Sequence, residues 1–310
     1  MSEVARISGI PDYGVGSNIN YNPELYSGKL VEKFYKSTVF GEIASTDYEG
    51  EISAFGAQVK IRTVPDVTIS DYVIGAGLTA QYPSSPSVTL VINRAKSFAV
   101  ALSTVDARQS DIDMADVFAN DGSIQLRIVA DADVLTTIPA EVATANQGTH
   151  AGADSGSINL GDSTTPFVVT SANVLNFLVD CGTVLDEQNV PDEGRWLVAP
   201  PWFMGTIKKS DLRIASLAGD GVSIMRNGKV GEVDRFTLYQ SRQLLSQVSP
   251  GAANYVMFGH SAGLTFAAQI LENEMITNPN DFGYIIRGLM VYGFQVINAN
   301  VVGTAVVARG

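Results

Sequence analysis

The sequence predicts a mixed α+β protein with one long protruding hairpin and a free N-terminal arm. Three observations carry that reading. Val59-Lys60-Ile61-Arg62-Thr63-Val64 alternates apolar and polar residues, as a half-buried strand does. Ile124, Ile128, Ala132, Leu135, Ile138 and Val142 recur at three- and four-residue steps, the period of an amphipathic helix. From Ser171 onward helical and strand patterns alternate.

Met1 to Asn22 is rich in Gly, Ser, Asn and Tyr without a period, so it reads as an extended arm. A short helical segment follows Pro23, with Leu25, Leu30, Val31 and Phe34 on one stripe. Val88 to Ile92 and Phe98 to Leu102 are two further strands after Val59–Val64. The stretch between Val64 and Val88 holds three prolines and two of the glycines, so the region is a hairpin with an elaborate tip. A hairpin without a local core must bury itself against something else, such as a neighbouring subunit.

The helix of Ser123 to Thr144 carries Pro139, which should kink or shorten its last turn. Gly148 to Thr165 is a polar, glycine-rich loop. Ser171 is placed to cap a helix carrying Val174, Leu175, Leu178, Val179 and Leu185. Arg195 to Ala199 is a strand stopped by Pro200-Pro201, and Ser210 to Leu217 has a helical pattern. Asn227-Gly228 marks a tight turn. Phe236 to Tyr239 and Tyr255 to Phe258 are strands, Leu264 to Glu272 is expected as a helix, and strands near Leu289–Ile297 and Val301–Val307 close the chain.

Charged residues make up only 17% of the 310, and 20 basic against 32 acidic side chains leave a net charge of −12. So little charge leaves little to cover a free surface, which suits either subunit interface or a large core. The acidic balance excludes a dedicated nucleic-acid binder, which needs a concentrated basic patch. Lys208-Lys209 and the set Arg226, Lys229, Arg235 are scattered and read as solvated loop charges. Cys181 is the single cysteine, so no internal disulfide or cysteine-based zinc site can form, and its apolar surroundings make it inert. Glu3 and Arg6 interrupt any signal peptide, and Leu289 to Ala308 reads as buried β-structure, not a membrane span. The expectation is folding in a reducing cytoplasm.

Gly259-His260-Ser261-Ala262-Gly263 matches the strand-to-helix elbow that exposes a nucleophilic serine in α/β-hydrolases. That fold needs a histidine after the serine, and none follows Ser261; the two present are His150 and His260. The glycines are better explained by a tight turn. Gly75-Ala76-Gly77-Leu78-Thr79-Ala80 mimics a dinucleotide fingerprint, but Gln81-Tyr82-Pro83 follows where a helix is required. Gly228-Lys229 precedes Val230 where a phosphate loop needs Ser or Thr. Asp111, Asp113, Asp116 and Asp121 have the wrong order for a calcium loop and read as helix-start charge. No catalytic, cofactor-binding or metal residue is expected.

The order of features resembles the major capsid proteins of tailed bacteriophages with the Hong Kong 97-type fold, nearest to a podophage coat-protein-like group. The residues that carry the likeness are Tyr26 to Phe34, Asp47 to Ile52, Ala57 to Arg62, Leu197-Val198-Ala199-Pro200-Pro201, Asn227-Gly228 through Phe236 to Ser241, Phe258-Gly259-His260 and Arg287 to Gly293. The resemblance implies an N-terminal arm over residues 1–46 and an extended loop over 47–104. It further implies a peripheral domain over 105–164 and 287–310 whose spine helix is Ser123 to Thr144, and an axial domain over 165–286. It implies self-assembly through hexamers and pentamers into an icosahedral head around double-stranded DNA, in the virion after assembly in the host cytoplasm. A separate scaffolding protein, a portal and possible decoration proteins are the partners it implies, with no cofactor and no membrane. No cross-linking lysine is assigned; neither Lys60 nor Lys96 stands out. The alternatives are an encapsulin-like nanocompartment shell protein and, from another class, a serine hydrolase using Ser261.

Overall fold

The computed structural model describes residues 38–46, 58–104 (save 66, 73, 76, 78, 79 and 86), 114–210, 231–247 and 253–310 (save 280). The expected helix after Pro23, the Asn227-Gly228 turn and the pattern of 211–217 lie outside the described residues.

In chain order come α1 (Phe40–Ile43), β1 (Gln58–Arg62), β2 (Ser87–Val91), β3 (Arg94–Ser103), α2 (Met114–Thr137), β4 (Phe167–Val169), α3 (Val174–Glu187), β5 (Arg195–Ala199), α4 (Pro201–Lys209), β6 (Glu232–Val233), β7 (Phe236–Gln240), β8 (Asn254–His260), β9 (Leu264–Thr277), β10 (Gly283–Val296) and β11 (Val302–Arg309). The strands form three sheets: β1-β2, β3-β10-β9, and β4-β11-β8-β5-β7-β6. In the last sheet β11–β4 and β5–β7 are parallel and the other pairings antiparallel.

Two cores share the six-stranded sheet. On one face α3 and α4 bury Phe177, Leu178, Cys181, Leu185, Phe203 and Ile207 against Leu197, Ala199, Val256, Phe258 and Ala305. On the other, Trp196, Val198 and Met257 join Leu126, Ala130, Val134 and Leu135 of α2 and Phe266, Tyr292 and Phe294 of the three-stranded sheet. Strand side chains alternate between faces, so covering both sides buries every residue of β5. That is why Arg195 to Ala199 reads as an unbroken apolar run after its first residue.

α2 lies across the three-stranded sheet. Phe98 of β3 fills the space above Gly122 of α2 and Gly288 of β10; a Cβ on either glycine would run into its ring. α2 starts earlier than the apolar pattern suggested, at Met114 instead of Ser123. Its first turns are only half-buried, through Met114, Ala115, Phe118 and Ala119. The helix stops at Thr137, and Pro139 sits in the 3₁₀ turn Ile138–Ala140 that follows, as the proline predicts.

Two expectations are corrected. Leu264 to Glu272 is not a helix but the first part of β9, whose partner β10 runs alongside from Val296↔Leu264 to Tyr284↔Thr277. The strand does stop at Ala199 before Pro200-Pro201, as expected, and Pro201 opens α4, where its fixed φ and missing N–H are suited to the first helical position, with Ser210 the C-cap of that helix. The N-cap of α3 is Asn173, not Ser171. The Asn173 side chain reaches back, accepting from Thr170 N at 2.7 Å and donating to Val168 O at 2.9 Å.

Candidate assembly surface

The residues that resembled chemistry come first. β8 ends at His260, Ser261–Gly263 is a 3₁₀ turn, and β9 follows. Ser261 therefore sits between two strands, without the helix that a nucleophile elbow requires. Nδ1 of His260 accepts from Ala262 N at 3.1 Å, so the ring caps its own turn. His150 pairs with the Thr149 hydroxyl at 2.9 Å. Gly75 and Gly77 have φ of +88° and +72° in the hairpin tip, a loop conformation and not a helix start. Asp116 lies in the first turn of α2, Asp121 lies within that helix, and Asp111 and Asp113 are outside the described residues. Among the described residues no group of His, Cys, Asp or Glu could hold a metal ion, and no helix is long and apolar enough to cross a membrane.

Charge is spent on holding the body together. Arg195 is fully buried; its Nε donates to Pro191 O at 2.9 Å and its Nη2 to Val190 O at 2.6 Å and to Asp186 Oδ1 at 2.6 Å. Arg235, expected as a loop charge, joins the same cluster through Asp186 at 2.9 Å and Asp192 at 2.6 Å. Burial pushes the Asp186 carboxyl up, but the two guanidiniums outweigh it and hold the group below its ordinary value. Burial pushes the Cys181 thiol well up, and the charges of Asp180 and Asp234 add to the rise. Lys208 and Lys209 sit in the last turn of α4, where the helix dipole favours cations.

What is left over is apolar surface standing away from the body. The hairpin stem has two different faces. Val59 and Ile61 of β1 and Leu90 of β2 turn inward and, with Ile92, Ala267 and Val291, make a small third core. Close contact here depends on Gly293: a Cβ there would strike the Val91 carbonyl. The antiparallel ladder pairs Gln58 with Val91 through to Arg62 with Ser87. Beyond it a side chain takes over. Gln81 Nε2 donates to Thr68 O at 2.6 Å and its Oε1 accepts from Thr68 N at 3.1 Å. Thr68 faces Gln81 in the same register that sets Gln58 against Val91, ten residues further along each leg. The Gln81 amide thus stands in for a ladder pair where the strands have ended.

The tip held this way carries large side chains with nothing against them. Val64 and Ile74 are each 90% exposed and Tyr82 is 94% exposed; Val67, Ile69 and Tyr72 are exposed as well. A second projection, which sequence reading missed, is the β9–β10 turn, with Phe282 87% exposed and Met275 and Tyr284 exposed beside it. Its turn is closed by Asn278 N to Gly283 O at 2.9 Å. The signal for it was present as Asn278-Pro279 and Asp281 between two apolar runs, but it is a hairpin signal only if Leu264 to Glu272 is a strand. Clustered exposed apolar groups mark places for partners.

No protein-family model matches the chain, and no curated protein matches it. Solved structures do. A chain from Mycobacterium phage Che8 superposes with a TM-score of 0.77 at 22% identity, covering 92% of this chain and 97% of that one. A chain of the capsid structure of the cyanophage P-SCSP1u gives 0.72 at 16% identity over 94% of each chain. A chain of the mature capsid of bacteriophage PhiM1 gives 0.67 at 15% identity, covering 99% and 97%. The α+β architecture expected from the resemblance is thus a fold shared, along nearly its whole length, with phage capsid subunits.

Proposed function

We propose that this chain is the major capsid protein of a tailed bacteriophage, a coat subunit that self-assembles into an icosahedral head around double-stranded DNA. One observation carries the proposal: a fold superposable on capsid subunits presents its exposed apolar side chains on a hairpin tip that its own body leaves uncovered. Burying one large apolar side chain is worth roughly 1.5–3 kcal/mol. Six at the tip would supply on the order of 10 kcal/mol per subunit before ordering costs are subtracted. Repeated over many copies in closed symmetry, that suffices for a shell.

The reading includes hexamers and pentamers of the chain itself, a separate scaffolding protein, a portal protein and, for some shells, a decoration protein. It places the chain in the virion after assembly in the host cytoplasm and assigns it no catalytic role. A net charge of −12 suits a wall that must not grip its DNA. The arm (1–46), extended loop (47–104), peripheral (105–164 and 287–310) and axial (165–286) divisions are part of the same proposal. Sheet pairing argues for moving three strands within it. β3 and β9 both bond to β10 and so go with the peripheral part, while β11 bonds to β8 and goes with the axial part.

The test is electron microscopy of the purified chain, alone and co-expressed with the neighbouring genes of its source. Shells, capsomere rings or curved sheets are expected. Uniform monomers under every condition would overturn the proposal. Closed shells that enclose a cargo enzyme and form without a portal would point to a nanocompartment. Ester turnover lost in Ser261→Ala would point to the hydrolase.

A further inference from the structure

Asp131 of α2 is fully buried, and its carboxylate joins three stretches of chain far apart in sequence. Oδ1 accepts from Val39 N and Phe40 N, each at 2.9 Å, and Oδ2 accepts from Gln243 Nε2 at 2.6 Å. A buried carboxylate is costly unless its lone pairs are met, and here donors from two other segments meet them.

Each donor segment is fastened elsewhere. Residues 38–46 are held at their far end by Ser45, whose N donates to Leu264 O at 2.8 Å and whose O accepts from Phe266 N at 3.0 Å. Their near end opens α1, a four-residue helix too short to hold itself, and there the Asp131 carboxylate takes the first two amides. Gln243 lies in the stretch leaving β7. That stretch is tied to β5 by Ser241 N to Ala199 O at 3.1 Å and to β8 by Tyr255 N to Leu245 O at 2.9 Å. Asp131 therefore links residues 38–46 to the six-stranded sheet, through the helix between them.

We propose that Asp131 is a latch that couples the docking of residues 38–44 to the position of the 241–245 segment, so that a shift on one side loosens the grip on the other. The mechanism is local. If Gln243 moves away, one carboxylate oxygen is left buried without its donor. The group then takes up a proton or turns toward another donor, and its hold on the two amides weakens. In a shell, contacts that reach 241–245 would be felt at residues 38–44.

The latch belongs to a single chain, so its test requires no assembly, and its failure would leave the capsid proposal untouched. Hydrogen exchange by mass spectrometry on dilute full-length protein compares the wild type with Gln243→Met and Gln243→Asn. Both variants leave Asp131 and residues 38–44 themselves unchanged. With the charge-assisted bond to Asp131 lost, exchange in the 38–44 peptide should quicken about tenfold or more in both variants. The β8 peptide containing Val256 and Phe258 should keep its wild-type rate. Unchanged exchange at 38–44, or an equal rise at 38–44 and β8, would overturn the latch.

Discussion

Replacing Arg195 with methionine removes a side chain that ties the end of α3, the loop after it and the start of β5 into one unit. The cost can be worked from its partners. The Asp186 and Asp192 side chains are 42% and 65% exposed and keep Arg235, so the charge–charge part is screened and small. The larger part is the stranded, buried carbonyl of Val190, bonded at 2.6 Å; Pro191 is exposed, so water can replace the 2.9 Å bond to its carbonyl, and Gly182 O at 3.4 Å adds little. A buried acceptor left without a partner costs about 1–3 kcal/mol, so Arg195→Met should cost about 1–3 kcal/mol. Arg235 is 37% exposed and bonds only to carboxylates, so Arg235→Met should cost about 0–1 kcal/mol. The assay is urea unfolding of dilute protein followed by tryptophan fluorescence, since Trp196 adjoins the site. Equal losses in the two variants would refute the claim that a stranded carbonyl, and not ion pairing, sets the cost.

Ile69→Asp and Tyr82→Asp at the hairpin tip should leave monomer stability within about 0.5 kcal/mol, because neither side chain is buried, yet sharply reduce assembly measured by light scattering. Cys181 should resist a thiol reagent in the native chain and react once per chain in denaturant, since burial disfavours its thiolate. Acid should destabilise the fold through Asp133 and Asp186, both held below their ordinary range. The unfolded chain binds protons first, near pH 4, so the stability these groups give is full above that value and is lost as pH falls through their lower folded values. Asp131 runs the other way: burial raises it, so acidification relieves its cost. Urea midpoints from pH 7 down to pH 2.5 should therefore fall, and Asp186→Asn should flatten the fall.

How much of this was legible in the sequence follows from which residues reveal their surroundings. β1 shows its half-burial as strict alternation, and β5 its two-sided burial as an unbroken run, because burial pattern and sequence pattern are the same information there. Leu264 to Glu272 did not resolve. Leu264, Ala267, Ala268 and Leu271 fit a helix, while Leu264, Phe266, Ala268 and Ile270 fit a strand equally well. β10, pairing along the whole length, decides it, and that partner lies across the following turn, outside the stretch whose pattern is being read. α4 was hidden because proline both ends strands and begins helices. The hairpin was legible from the alternation of β1 and the prolines and glycines of its tip. The Gln81–Thr68 brace and the Asp131 junction were not, since each depends on side chains brought together only by the finished fold.

Hydroxyl-radical footprinting of Tyr72 and Tyr82, in dilute chain and in assembled particles, tests most directly whether the tip is covered by other copies. Strong labelling of both tyrosines in the dilute chain and protection in the particle is the predicted result. Equal labelling in the two states, or protection already present in the isolated chain, would contradict it.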